Sequence, residues 1–255
     1  MNHVECILDF AAGLGCRMLT VGANLERVND TMSRICHSYQ LDSISIFSLS
    51  SIIMISAKSS DGMTGTRQVS VPRGSKHLEK LNRFNQLSRK ICQETPPPET
   101  LCSMLEEAEN VDDYSSLTRI LGYLMAMTSV GILNGGSIKD IICADLNILL
   151  LLWLTDFLDK RNINRIVANM LCTFIAGTLA ILYVKTGLGE HFFIIVIVNS
   201  MLMISSADLV NAFRNVLCGN EMNGILEFLK VILETLAIVL GLMISIYVFG
   251  GLISW

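Results

Sequence analysis

Five long apolar runs make up most of the second part of this sequence and limit the folds that it can adopt. They cover residues 120–138, 141–158, 166–184, 192 to about 207, and 235–255. A helix needs about 20 mostly apolar residues to cross roughly 30 Å of hydrocarbon, and only helices or closed barrels satisfy their backbone hydrogen bonds there. We therefore predict a transmembrane domain over residues 117–255 that contains five transmembrane helices.

The first 116 residues have a different composition, because they hold all four prolines and most of the charged residues. Apolar residues recur at helical spacing over residues 4–19, 25–39, 78–91 and 101–108. Runs rich in β-branched residues at 44–49, 52–58 and about 66–71 predict three strands, with a turn at Asp61-Gly62. These patterns predict an α/β domain over residues 1–116.

The charges beside the apolar runs predict how the chain crosses the membrane. Glu5 and Asp9 interrupt the first apolar segment and no basic stretch precedes it, so it does not resemble a secretory signal. Connections on the side of the N-terminal domain would hold Lys160, Arg161, Arg165 and Arg214, against Lys139 and Lys185 on the other side. Because Lys and Arg favour the cytoplasmic side, we expect a multi-pass cell-membrane protein whose N-terminal domain is cytoplasmic.

Polar residues within the apolar runs are the candidates for function, because charges at membrane depth usually face a bundle interior or a watery path. Asp145 and Glu234 lie deep enough to favour a packing or pathway role. Asp156 and Glu227 are expected at the cytoplasmic rim. Residues 204–211 place polar groups after an apolar run, which fits either a broken helix lining a binding site or a helix that reaches the interface.

Several classes of function are disfavoured by the sequence. It has no GxxxxGK[ST], GxSxG, HExxH or GxGxxG motif, so we predict no enzymatic activity, no catalytic residue and no cofactor. None of the eight cysteines forms a CxxC pair, so no metal site is expected. A net charge of -4 without a basic cluster makes nucleic acid an unexpected partner.

Short segments along nearly the whole chain resemble the threonine/serine exporter family, which joins a cytoplasmic N-terminal domain to a membrane domain. The matching segments are Ala12-Gly13, Val21-Gly22-Ala23-Asn24-Leu25-Glu26-Arg27-Val28, Asp61-Gly62, Thr66-Arg67, Arg73-Gly74, residues 78–89, Asn134-Gly135-Gly136, and Asn211-Ala212 with Gly219 and Gly224. Ser205 and Ser206 stand where the family usually has Pro-Gly.

The resemblance implies a function and a partner. Single-chain members contain about ten spans, and this chain has room for five, so it looks like the larger subunit of the family's split form. A second, small five-span membrane subunit would complete a secondary exporter of threonine and serine or of C4 dicarboxylates, driven by an ion gradient.

On this interpretation, seven residues are candidates for the substrate or ion pathway: Asn134, Asp145, Ser205, Ser206, Asp208, Asn211 and Glu234. The alternative is a membrane-anchored sensory or scaffold module that regulates a partner membrane protein.

Overall fold

A computed structural model describes residues 3–72, 74, 76–110 and 115–252 of the chain. The chain divides into two compact units. The first unit holds Met1–Asp113 and Phe213–Ile225, and the second holds Tyr114–Ala212 and Leu226–Trp255.

The first unit contains helices around a small sheet. Its elements are α1 (His3–Thr20), α2 (Leu25–Ser38), β1 (Leu41–Leu49), β2 (Ile52–Ser59), β3 (Thr64–Ser70), α3 (Leu78–Glu94) and α4 (Pro98–Glu109). Each helix and strand predicted from the apolar pattern of this region is therefore present. The α/β prediction is correct in a limited form, because the sheet has only three strands among the described residues.

The sheet is antiparallel, in the order β1-β2-β3. Successive side chains of a strand point to opposite faces, and on β2 this buries Ile53, Ile55 and Ala57. These side chains share one core with Phe10 of α1 and Met32 of α2. Helices α1 and α2 therefore cover one face of the sheet, which leaves alternate β2 side chains on the other face.

The segment 213–225 belongs to the first unit although it is distant in sequence. It contains the end of α9 (Ser206–Leu217) and the start of α10 (Glu221–Phe249). Asn24, which caps α2, donates from Nδ2 to Asn215 Oδ1 at 3.2 Å, and Asn223 Nδ2 donates to the Ser48 carbonyl at 3.0 Å. The connection predicted between the fourth and fifth spans is thus hydrogen-bonded to the N-terminal helices and sheet.

The second unit is helical. Its elements are α5 (Ser116–Leu133), α6 (Ile138–Lys160), α7 (Arg165–Lys185), α8 (Phe192–Met203), the first part of α9, most of α10 and the 3₁₀ helix Gly250–Leu252. Of the described helices, α5, α6, α7 and α10 are long and apolar enough to cross a membrane. Helices α8 and α9 are bent by 52° and meet the same criterion only as a pair, so there are up to five spans.

Two predicted span boundaries were wrong, and one alternative that the sequence left open is decided. The fourth run is broken, because α8 ends at Met203 and Ile204 is extended before α9 begins. The first run ends early, since α5 stops at Leu133 and Gly135 adopts a left-handed φ of 76°. Helix α10 begins at Glu221 rather than near residue 235, because charged residues lower the hydropathy of its first turns without preventing helix formation.

Helices α7 and α10 approach closely where α10 has Gly241. A Cβ atom at this position would lie 2.3 Å from the carbonyl oxygen of Met170 and 2.3 Å from Thr173 Oγ1 on α7. The Thr178 and Ser245 hydroxyls hydrogen-bond between the same two helices at 3.2 Å. Small residues at such a crossing permit close helix packing in a bilayer.

Candidate functional site

Asp145 is half-buried on α6, beside α5. Thr128 Oγ1 on α5 donates to Asp145 Oδ2 at 3.0 Å. The other carboxylate oxygen is buried and has no hydrogen-bond partner among the described residues. A buried charge without a partner is costly, so a proton or cation would stabilise this carboxylate. The pathway role of Asp145 stays a prediction.

Glu234 lies on α10 and is only 4% exposed. Its Oε1 atom is 3.8 Å from Arg165 Nε on α7 and 4.0 Å from Lys230 Nζ on α10. The carboxylate is therefore buried between two cations, as a buried charge requires. Asp145 contacts a different helix, and no described contact joins these two carboxylates.

The other five predicted pathway residues lie near the ends of helices or on α9. Ser205 immediately precedes α9, and Asp208 lies in its first turn. Ser205 Oγ donates to Asp208 Oδ2 at 2.6 Å. Ser206 is exposed, and Asn211 is half-buried further along α9. Asn134 follows α5 and donates from Nδ2 to the Val130 carbonyl at 2.9 Å. None of the seven predicted residues lines the small cavity between α6, α7, α8 and α10.

Three buried asparagines in the described part of the second unit were not among the predicted site residues: Asn147 on α6, Asn169 on α7 and Asn199 on α8. Asn147 Nδ2 donates to the Ala176 carbonyl of α7 at 3.2 Å. Asn147 Oδ1, Asn169 Nδ2 and both amide atoms of Asn199 are buried without a hydrogen-bond partner among the described residues. Because buried polar groups are normally hydrogen-bonded, these amides are suited to bind a polar ligand or water.

A cavity of about 10 Å³ lies between these helices, and of the three asparagines Asn199 lines it. Its lining comes from α6, α7, α8 and α10: Leu151, Thr173, Ala176, Gly177, Val196, Asn199, Ser200 and Leu242. The volume is close to the minimum for one water molecule. A larger ligand would therefore enter only if these helices moved apart.

The chemistry of the cavity favours a ligand without net charge. An asparagine side chain offers a carbonyl that accepts from a hydroxyl or ammonium group, and an NH₂ that donates to a carboxylate. None of the lining side chains is charged, so a net ionic charge would lose hydration without a counterion. Each asparagine interrupts an apolar run. That pattern is visible in the sequence, but a single amide in an apolar run is equally typical of helix packing.

Asp140 is also buried, and its hydrogen bonding differs from that of Asn199. It lies in the first turn of α6, and its carboxylate accepts from the backbone N–H groups of Glu190 at 2.7 Å and His191 at 2.8 Å. It also accepts from the backbone and hydroxyl of Ser137, and its Oδ2 lies 2.8 Å from His191 Nδ1. These contacts join the start of α6 to the connection between α7 and α8.

The same group has ligand atoms close enough to hold a metal ion, with Asp140, Glu190 and His191 contributing one atom each. Their existing contacts explain the arrangement without an ion. Asp140 already accepts several hydrogen bonds, and the exposed Glu190 forms an ion pair with Lys139 at 3.0 Å. Lys139 Nζ also donates a hydrogen bond to Glu190 Oε1, and this bond lowers the pKa of Glu190. The group is best described as a structural connection.

Comparison with known proteins identifies one family. A model of the ThrE family, described as "Putative threonine/serine exporter", matches residues 9–249. No curated protein and no solved structure matches the chain. The match includes both compact units and every helix that could cross a membrane. The chain is therefore a multi-pass membrane protein that belongs to the threonine/serine exporter family, a family of transporters.

Proposed function

We propose that this chain is one subunit of a secondary exporter that moves threonine and serine out of the cytoplasm, with its substrate site at Asn147, Asn169 and Asn199. The main support is the pair of amide atoms of Asn199, which have no partner among the described residues and line a cavity in a transporter-family protein. Asn147 and Asn169, on the neighbouring helices α6 and α7, each hold one further buried amide atom without a described partner. Polar groups inside membrane helices commonly mark transport pathways.

Threonine and serine suit this site better than C4 dicarboxylates. Both amino acids are zwitterions with no net charge at neutral pH, and both carry a hydroxyl that can donate to an amide oxygen. A dicarboxylate dianion would need a cation, and the cavity lining has none. Dicarboxylates are therefore the secondary substrate class of this proposal.

Transport requires the site to open. The cavity of about 10 Å³ is too small for an amino acid, so α6, α7, α8 and α10 separate when substrate enters. Gly177 lines the cavity, and a Cβ atom there would lie 2.9 Å from Ser245 Oγ on α10. The crossing of α7 and α10 is therefore where we place the movement that opens the site.

An ion gradient would supply the energy, and Asp145 is the preferred ion-coupling residue. Its buried oxygen without a hydrogen-bond partner leaves one position for a proton or cation. Glu234 is the second candidate, although Arg165 and Lys230 already neutralise it. We expect Asp145→Asn to insert normally and to lose gradient-driven export.

A second five-span membrane subunit would complete the exporter. Large apolar side chains are exposed along α5 and α10, including Leu121, Met125, Leu240 and Tyr247. Lipid accounts for part of this surface, and the partner would cover the rest. The N-terminal domain would lie in the cytoplasm and the chain in the cell membrane.

The test is efflux of radiolabelled threonine, serine and succinate from preloaded cells. The cells express this chain alone, a candidate five-span partner alone, or both, and membrane fractions are assayed for each protein. Efflux of threonine and serine only when both are present is the expected result. Absence of efflux with both proteins in the membrane would contradict the proposal and favour a regulatory role.

A further inference from the structure

A second cavity lies within the first unit, between α2 and α3. Its volume is about 370 Å³, within the usual range for small-molecule sites. Residues from both helices line it, among them Arg27, Arg34, Ser88, Arg89 and Gln93. Two of the segments that carry the family resemblance, residues 21–28 and 78–89, thus contribute to one groove.

The lining of this groove is positively charged. Three arginines line it with one carboxylate, that of Asp30. Arg34 Nε donates to Asp30 Oδ1 at 3.0 Å, so this carboxylate is already paired. Arg27 and Arg89 form no ion pair or hydrogen bond through their side chains with any residue that the structure describes.

Polar uncharged groups complete the lining. Thr31 Oγ1 donates to the Arg27 carbonyl at 2.8 Å, and Ser88 Oγ donates to the Asn85 carbonyl at 2.9 Å. These bonds lie within α2 and α3, so both hydroxyl oxygens keep acceptor capacity while the helices supply a firm framework. The donors left for a ligand are mainly the guanidinium groups and the Gln93 amide.

We propose that this groove binds a small dianion, either a phosphate group or a dicarboxylate, through Arg27 and Arg89. The guanidinium group matches both oxyanions with two parallel hydrogen bonds. The uncharged membrane cavity is built for a different ligand, so this is a second site, separate in chemistry from the proposed transport site.

The test measures binding of inorganic phosphate and of succinate to the full-length protein in detergent by isothermal titration calorimetry. Threonine serves as the zwitterionic comparison ligand. The variant Arg27→Gln/Arg89→Gln removes both proposed ligand groups. The control Arg83→Gln/Lys90→Gln removes the same charge from exposed positions of α3 that do not line the groove.

We expect at least one dianion to bind the wild type and the control equally, and to bind the groove variant about tenfold or more weakly, which is about 1.4 kcal/mol. The stronger of the two probes identifies phosphate or dicarboxylate as the ligand class. Added salt should weaken binding, because the contacts are ionic.

The proposal is overturned if neither dianion binds the wild type, or if the groove variant and the control bind equally. Both double variants change exposed side chains, and circular dichroism verifies that each remains folded. Binding is measured without transport, so failure here is distinct from failure of the exporter proposal.

Discussion

Asp140 and Asn199 are both buried polar residues of the membrane unit, but they differ in their hydrogen bonds. Asp140 accepts from two backbone N–H groups and from Ser137, whereas both side-chain polar atoms of Asn199 have no partner among the described residues. A buried polar group whose hydrogen bonds are all formed makes the fold more rigid. A buried polar group without hydrogen bonds destabilises the fold. The contacts of Asp140 therefore indicate a structural role, and the absence of described partners supports the ligand-binding role that we propose for Asn199.

The structural role of Asp140 predicts a large effect of Asp140→Asn. The asparagine NH₂ group would face N–H and O–H groups that also donate, so hydrogen bonds now made by the Asp140 carboxylate would be lost. The substitution also removes the negative charge that strengthens the remaining hydrogen bonds. Because hydrogen bonds to charged groups contribute about 1.5–3 kcal/mol each, we expect a loss of at least about 2 kcal/mol in the free energy of unfolding. Reversible unfolding in mixed detergent, followed by circular dichroism, measures this value.

Asp156→Asn is the matched control, since Asp156 lies on the same helix and its one ion pair among the described residues is an exposed contact with Arg119 at 3.6 Å. Its effect should be within about 0.5 kcal/mol. Equal effects of the two substitutions would refute the structural role of Asp140.

Sequence reasoning reached only part of the candidate site. Ser137 and Asp140 form a capping box at the start of α6, and that spacing is readable in sequence. The donors at Glu190 and His191 could not be predicted, because they come from a distant connection. Asn199 was overlooked because an amide in an apolar run suggests packing until its hydrogen bonds are known.

At the scale of elements, the crossing of α7 and α10 depends on Gly241. Nothing larger than hydrogen fits there without movement, because a Cβ atom would lie 2.3 Å from a backbone carbonyl. Thr173, which is part of the same crossing, also lines the cavity beside Asn199. The crossing therefore couples helix packing to the shape of the proposed substrate site.

We expect Gly241→Ala to destabilise the membrane unit by about 1–3 kcal/mol, since overpacking forces helices apart. Gly122→Ala on α5 is the control, because a Cβ atom there meets open space. The control should leave stability unchanged or raise it by up to about 1 kcal/mol. Unfolding in mixed detergent measures the free energy of unfolding of both variants. An unchanged value for Gly241→Ala would contradict the close contact of α7 and α10 at this residue.

Most elements could be predicted from periodicity, and their breaks could not. Apolar spacing located α1 to α4 and the three strands, since each buries one face. The bend between α8 and α9 was undetermined, because Ser205 and Ser206 permit both a continuous and a broken helix. The early start of α10 was not predicted, because the start of an apolar run marks where a helix enters the hydrocarbon. The helix itself can begin before that point, outside the bilayer.

At the scale of the whole molecule, the membrane orientation of the chain is still a prediction from the distribution of Lys and Arg. Cys102 on α4 is exposed, and Glu190 lies in the exposed connection between α7 and α8. The predicted orientation places Cys102 in the cytoplasm and residue 190 outside. Cys36 is buried, and burial raises the pKa of its thiol to about 12.

Single-cysteine variants test this orientation with a membrane-impermeant maleimide. In intact cells we expect labelling of a Glu190→Cys variant and no labelling of Cys102, which becomes labelled after permeabilisation. Cys36 should stay unlabelled in both conditions, because it is buried and its thiol stays protonated. Labelling of Cys102 in intact cells would place the N-terminal domain outside and contradict the predicted orientation.

The most direct test of the proposed substrate site is threonine export by Asn199→Leu, measured in cells that contain the complete exporter. Leucine removes a buried amide without partners, so the protein should insert normally and be at least as stable as the wild type. Met201→Leu on the exposed face of α8 is the control and should export normally. We predict that Asn199→Leu lowers the export rate by about tenfold or more, the equivalent of about 1.4 kcal/mol. Export at the wild-type rate by a stably inserted Asn199→Leu protein would contradict the assignment of these amides as the substrate site.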